Sequence, residues 1–214
     1  MTRVAGGRGR YTDAAPPSPE LAVPAHPLWN VPNLLSLSRL PLTVVLCAAI
    51  DARAWAVGLV AFAAAAVTDW ADGWWARRYG PLTDIGRNLD PLTDKVLLGS
   101  AFIFLVPAAG SAVAAWVAAV VVARELLVTG LRGIVEATGQ KFGADWFGKL
   151  KTVLQFAAVG GELALLLLRD RGDGDTAATL EPFQRAILGL MLAATVGSAA
   201  QYCVKATRLL GRPS

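Results

Sequence analysis

Two carboxylate pairs dominate the chemistry this sequence can do. Asp69 and Asp72 stand three residues apart, and Asp90 and Asp94 four apart. On a helix either spacing brings both members of a pair to one face. Between the pairs lies Gly80-Pro81, a turn signal, so two antiparallel helices would turn the carboxylates toward one another. Four carboxylates converging in a partly dehydrated pocket repel unless cations neutralise them. An all-oxygen ligand set suits Mg2+ or Mn2+ rather than zinc or copper. Gly73 follows Asp72 directly, and without a Cβ it lets another molecule approach the helix closely. A glycine inside a helix costs up to about 1 kcal/mol relative to alanine, so a packing or ligand reason is expected. Ala76 is small on nearly the same face, and Arg77, one turn on, can grip a phosphate through two N–H groups.

The elements that must carry these residues are apolar. The 214-residue chain is 55% hydrophobic and only 17% charged, with a mean hydropathy of +0.49. A soluble domain carries roughly 25% charged residues, so a cytosolic globule, a disordered chain and a disulfide-stapled secreted module are all excluded. Cys47 and Cys203 lie far apart in apolar runs and read as buried reduced thiols. A membrane-spanning helix needs about 20 mostly apolar residues. The long uncharged run 96–123 is broken by Pro107-Ala108-Ala109-Gly110 and divides into two helices. The expectation is an all-α integral membrane protein, a six-transmembrane-helix bundle with spans near 34–51, 54–79, 87–106, 111–136, 147–168 and 183–208. A last outer loop runs over 169–182. Charged residues within or beside such helices usually face a bundle interior and mark function.

Lysine and arginine set the orientation. With the N-terminus inside, only Arg53, Arg169, Arg171 and Arg185 fall outside, leaving sixteen of twenty basic residues on the inner side. Both termini are therefore expected in the cytosol. Residues 1–30 have proline and glycine clusters and no apolar period, which reads as a disordered tail before a membrane domain over 31–214. The tail lacks the apolar core of a signal peptide, and no organellar address is seen. The single histidine, His26, sits in this tail, so histidine catalysis is not expected. No Walker loop, dinucleotide-binding glycine pattern, HExxH or paired CxxC occurs. Trp70, Trp74 and Trp75 read as an interfacial aromatic belt. Arg39 can either reach the headgroups or point into the pocket, and Asn33 is open to a capping role. Glu162, midway along the fifth span, is open to being a protonated buried acid or a dimer contact.

From Asp69 to Asp94 the chain reads D-x2-D-G-x2-A-R-x8-G-x3-D-x3-D. With eight fixed positions and no departure, it resembles the signature of the CDP-alcohol phosphotransferase family. The resemblance implies a six-helix membrane enzyme, a homodimer, that uses divalent metals to move a phosphatidyl or related group from a CDP-linked donor to an alcohol. It implies two Mg2+ or Mn2+ ions on Asp69, Asp72, Asp90 and Asp94, with Asp94 also the general base. Asp72, Gly73, Ala76 and Arg77 resemble the positions that receive the CDP moiety. Asp84 has no place in the pattern and reads as a solvated loop charge.

Further segments resemble one branch of that family, the phosphatidylglycerophosphate synthases. They are Asn30–Leu35, Asp90–Val96, Ala123-Arg124-Glu125 through Arg132, and Gly148–Thr152. The branch implies CDP-diacylglycerol as donor, sn-glycerol 3-phosphate as acceptor, and a bacterial-type inner membrane with the active site facing the cytosol. The basic residues make independent sense of such an acceptor. Arg124 and Arg132 are eight apart, near two helical turns, and can share a face; Lys149 and Lys151 enter the next span from the same side. A dianionic phosphomonoester needs such cations, and Arg132, Lys149 and Lys151 are the expected contacts. Arg124 is a further one, although Glu125 or Asp94 could claim it. The competing use of these bases is contact with lipid headgroups. Inositol phosphate, serine or phosphatidylglycerol remain alternative acceptors, and a small cation transporter the alternative of another class. The net charge of +4 is accounted for by topology and phosphate recognition, and a nucleic-acid partner is not expected.

Overall fold

Six helices, and no strand, run through the described residues: α1 (Val31–Asp51), α2 (Trp55–Tyr79), α3 (Asp84–Leu105), α4 (Ala115–Ala137), α5 (Trp146–Asp170) and α6 (Gly174–Leu210). The computed structural model describes the backbone of residues 31–79, 84–138 and 146–210. The side chains of 31–33, 72, 76, 77, 79, 84–90, 146, 147 and 210 lie outside the described set. The expected tail over 1–30 and the Gly80-Pro81 turn also lie outside the described residues.

The helix ends follow from local chemistry. At the end of α1, Ala54 N–H bonds Ala49 O at 2.8 Å and Arg53 N–H bonds Ile50 O at 3.1 Å, with Arg53 left-handed at φ 57°. That is the Schellman arrangement, which satisfies otherwise orphaned carbonyls. The α5 terminus repeats it. Asp173 N–H reaches Leu168 O at 3.0 Å and Gly172 N–H reaches Arg169 O at 3.1 Å, with the left-handed site now filled by Gly172 at φ 79°. Asp173 then begins the next helix, its Oδ1 accepting from Thr176 N–H at 3.2 Å, as an N-cap aspartate does.

This cap corrects the expected outer loop. Residues 174–182 are helical, so α6 is 37 residues long and carries Pro182 inside it. The turn between α3 and α4 falls where Pro107–Gly110 predicted it, although α4 begins at Ala115 rather than near 111.

The helices pack in the ring α1–α2–α5–α6–α4–α3, closed by contact between α3 and α1, and α3 also meets α5 across the middle. All six contribute to one core, with Leu46, Phe62, Phe102, Val121, Leu163 and Met191 among its buried residues. Two adjacent glycines let α5 into the middle. A Cβ on Gly160 would lie 3.5 Å from the Phe62 ring of α2, and one on Gly161 only 2.1 Å from Gln184 Oε1 of α6.

Outward, the bundle exposes large apolar side chains such as Val44, Val60, Leu126, Phe183 and Leu190. So much exposed apolar surface fits lipid rather than water. Four helices (α1, α2, α5 and α6) contain stretches long and apolar enough to cross a membrane, as an integral membrane protein requires. α3 and α4 carry charged site residues of their own, Asp94 and Lys95 on α3 and Arg124, Glu125 and Arg132 on α4. Trp70, Trp74 and Trp75 are all exposed.

Candidate active site

The first half of the site is built around Arg39. Its side chain is fully buried, and the guanidinium pairs with Asp69 of α2 at 3.3 Å and Asp94 of α3 at 2.8 Å. Nη1 also donates to Thr93 Oγ1 at 3.3 Å. One cation contributed by α1 therefore gathers carboxylates that stand 25 positions apart in the chain. Of the two readings left open for Arg39, the structure selects the inward one. Asp69 stays 42% exposed and Asp94 24%, so both remain open to a ligand. Asp72 lies three residues past Asp69 on α2, and Asp90 four before Asp94 on α3. The side chains of Asp72, Ala76, Arg77, Asp84 and Asp90 lie outside the described residues. Gly73 is partly buried within α2.

The second half is a cavity of about 390 Å3 between α3, α4, α5 and α6. Arg124, Arg132, Lys149 and Lys151 all line it, joined by Lys95. Lys151 and Arg124 are buried, at 5% and 8% exposed, whereas Lys149 is exposed. Glu125 holds the two buried cations. The Lys151 ammonium donates to Glu125 Oε1, and Arg124 Nη1 donates to both carboxylate oxygens at 3.1 and 3.2 Å. Arg124 is further fixed by Ser198 Oγ at 3.2 Å and lies 5.7 Å over the Tyr202 ring. Of the partners foreseen for Arg124, it takes Glu125.

Burying a charge is costly unless it is paired, and Glu125 supplies that pairing. Among the described residues, five cations nevertheless share this cavity with one carboxylate, that of Glu125. The surplus positive charge attracts a polyanion, and the low-dielectric walls strengthen that attraction. Arg132 adds a buried Nε with no hydrogen-bond partner among the described residues.

A smaller cavity of about 130 Å3 joins the two halves. It shares Lys95, Glu125, Lys151 and Thr152 with the larger one and extends to Asp94 and Gln155. An acceptor whose anionic end sits among the cations can thus reach Asp94 with its other end.

Several site residues escaped the sequence reading. Lys95 was visible as the neighbour of Asp94, and Gln155 as the residue one turn beyond Lys151 on the same helical face. Glu125, expected as a partner for Arg124, also contacts Lys151 and so links α4 to α5 across 26 residues. Glu162 proves to be internal rather than a dimer contact. At 1% exposed, it accepts from Ala112 N–H at 2.5 Å and from Gln184 Nε2 at 3.2 Å, tying the α3–α4 turn to α5 and α6.

The family model for CDP-alcohol phosphatidyltransferase matches residues 29–197. The chain is 36% identical over 155 residues to the CDP-diacylglycerol--glycerol-3-phosphate 3-phosphatidyltransferase of Bacillus subtilis (strain 168), covering 65% of this chain and 78% of the relative. It is 34% identical over 210 residues to the probable phosphatidylglycerophosphate synthase of Mycobacterium tuberculosis (strain ATCC 25618 / H37Rv), covering 94% of both. The Escherichia coli (strain K12) protein of the same name as the Bacillus one is 36% identical over 147 residues, 66% of this chain and 78% of the relative. With the family model matching from before α1 to within α6 and the eight-position signature intact in the sequence of α2 and α3, the chain belongs to the CDP-alcohol phosphatidyltransferase family.

Proposed function

We propose that the protein transfers a phosphatidyl group from CDP-diacylglycerol to sn-glycerol 3-phosphate, giving phosphatidylglycerophosphate and CMP. The observation that carries this reading is the joined pair of cavities, with surplus cations at one end and Asp94 at the other. The names of the similar proteins support the same donor and acceptor.

In this reading the acceptor phosphate binds Arg132, Lys149 and Lys151, with Arg124 and Lys95 adding charge behind them. The free primary hydroxyl then lies at Asp94, whose carboxylate takes its proton, as a general base within hydrogen-bond reach can. The hydroxyl oxygen bonds to the phosphorus of the phosphatidyl group, and the bond from that phosphorus to CMP breaks, its electron pair leaving with CMP. Arg39 holds Asp94 and Asp69 in place through its fixed guanidinium fork.

The CDP moiety is received by Asp72, Gly73, Ala76 and Arg77, where the glycine and alanine leave room and the arginine takes a phosphate. Asp69, Asp72, Asp90 and Asp94 would hold two divalent cations, Mg2+ or Mn2+. The fit rests on an all-oxygen donor set and on the fact that Asp69 and Asp94 already share one positive charge, that of Arg39. When bound, such ions neutralise the pyrophosphate charge and polarise the attacked phosphorus.

We place all six helices in a bacterial-type inner membrane as a homodimer, with both termini and the site on the cytosolic side, following the lysine and arginine bias.

The test incubates purified protein with CDP-diacylglycerol, Mg2+ or Mn2+, and one acceptor at a time. CMP release with glycerol 3-phosphate is expected. Release only with inositol phosphate, serine or phosphatidylglycerol would overturn the choice of acceptor.

A further inference from the structure

Gln155 has a buried side chain with no part in the transfer proposed for Asp94 and the cations. It lies on α5 one turn beyond Lys151 and is 1% exposed. Neither its amide nitrogen nor its amide oxygen has a hydrogen-bond partner among the described residues. Buried polar groups are nearly always paired, because an orphan forfeits its hydrogen bonds to water without replacement. Here both ends of one amide are orphaned, and the group borders the small cavity between Asp94 and the cations. A ligand is the natural partner in such a position.

The chemistry of the amide narrows what that ligand group is. Its NH2 donates and its oxygen accepts. A phosphate oxygen could satisfy only the donor and would meet the amide oxygen as a like dipole. An apolar chain would satisfy neither. A hydroxyl, which both donates and accepts, satisfies both. The proposed acceptor carries one functional group not yet assigned: its phosphate belongs among the cations and its primary hydroxyl at Asp94, which leaves the secondary hydroxyl between them. The cavity that Gln155 borders occupies that interval.

We propose, resting on the function assigned above, that the Gln155 amide reads the secondary hydroxyl of the acceptor's three-carbon backbone and thereby fixes the primary hydroxyl at Asp94. Gln155 is then a specificity residue for a vicinal hydroxyl next to the nucleophile. The cations select for phosphate, and the amide selects among phosphates.

The test compares two acceptors, sn-glycerol 3-phosphate and 3-hydroxypropyl phosphate, which differ only in the secondary hydroxyl. Each is given to the full-length wild type and to Gln155→Leu and Gln155→Met, which keep the side chain's bulk and remove its hydrogen bonds. The wild type is expected to favour glycerol 3-phosphate by about tenfold or more in kcat/KM, because a site built to bond a hydroxyl rejects the analogue lacking it. Either variant should bring that ratio to within about threefold of unity, with the KM for CDP-diacylglycerol unchanged. A merely structural role would lower both acceptors together and leave the ratio intact, which would overturn the proposal. Should neither variant fold, the wild type alone decides: equal use of the two acceptors refutes the assignment. If the wild type fails with glycerol 3-phosphate and succeeds with another acceptor, the functional reading itself has failed. Turnover of glycerol 3-phosphate without discrimination refutes Gln155 alone.

Discussion

Asp94 and Glu125 show how differently two carboxylates can be used within one site. Asp94 is partly exposed and faces the cavity that joins the two halves, whereas Glu125 is spent on Lys151 and Arg124. Replacing Asp94 by Asn keeps the shape and removes the base, so turnover should fall about a thousandfold while the protein still binds a CDP-linked donor in an equilibrium assay. Turnover near the wild-type rate would take Asp94 out of the base role. Glu125→Gln leaves two buried cations without their anion. Breaking a buried pair from one side costs about 3 kcal/mol, to be read as a lower unfolding midpoint in detergent. Adding Lys151→Met to Glu125→Gln should restore much of that stability while leaving the KM for the acceptor raised. A double variant with wild-type acceptor affinity would deny Lys151 its phosphate role. The lining of the larger cavity by Arg124 and Arg132 was legible because residues eight apart on one helix share a face. Arg39 and Gln155 were not, because a lone arginine or glutamine in an apolar run says nothing about which distant helix it meets. The Arg39–Asp94 contact spans 55 residues.

Among the elements, α5 ties the cation cavity to the bundle, since it touches α2, α3 and α6 and carries Lys149, Lys151 and Gln155. Gly160 and Gly161 let it do so by admitting Phe62 on one side and Gln184 on the other. Gly161→Ala would push against Gln184, whose amide nitrogen is committed to Ala158 O at 2.7 Å and to Glu162. Losing those buried bonds should cost about 1–3 kcal/mol, visible as a lower thermal midpoint. Gly161 lies ten residues from Lys151, roughly 15 Å along the helix, so KM for the acceptor should hold steady in the same variant. A rise in KM without loss of stability would contradict this division between packing and site. The first five helices were readable to within a few residues because long apolar runs end at turn-forming residues. The start of α6 was not. Its first turns, 174–182, are polar and contain Pro182, a composition that reads as loop until Asp173 is seen capping the helix.

Across the whole molecule, charge placement ties topology to chemistry. Asp94, Lys95, Glu125 and Lys151 line one cavity, and the proposed orientation, drawn from the lysine and arginine bias of the sequence, turns that cavity toward the cytosol. A reporter fused to the C-terminus should therefore be active only if it works in the cytosol; activity of a periplasm-dependent reporter would reverse the proposed orientation. Membrane character was legible from composition alone, because it is a property of the sum rather than of any contact. The route from cation cavity to Asp94 was not, since it is enclosed by α3, α4 and α5 together. Acceptor-dependent CMP release tests most directly whether that route carries the acceptor to Asp94. Purified protein with CDP-diacylglycerol and Mg2+ or Mn2+ should release CMP when glycerol 3-phosphate is added and form phosphatidylglycerophosphate in equal amount. Release with another acceptor but none with glycerol 3-phosphate would contradict it.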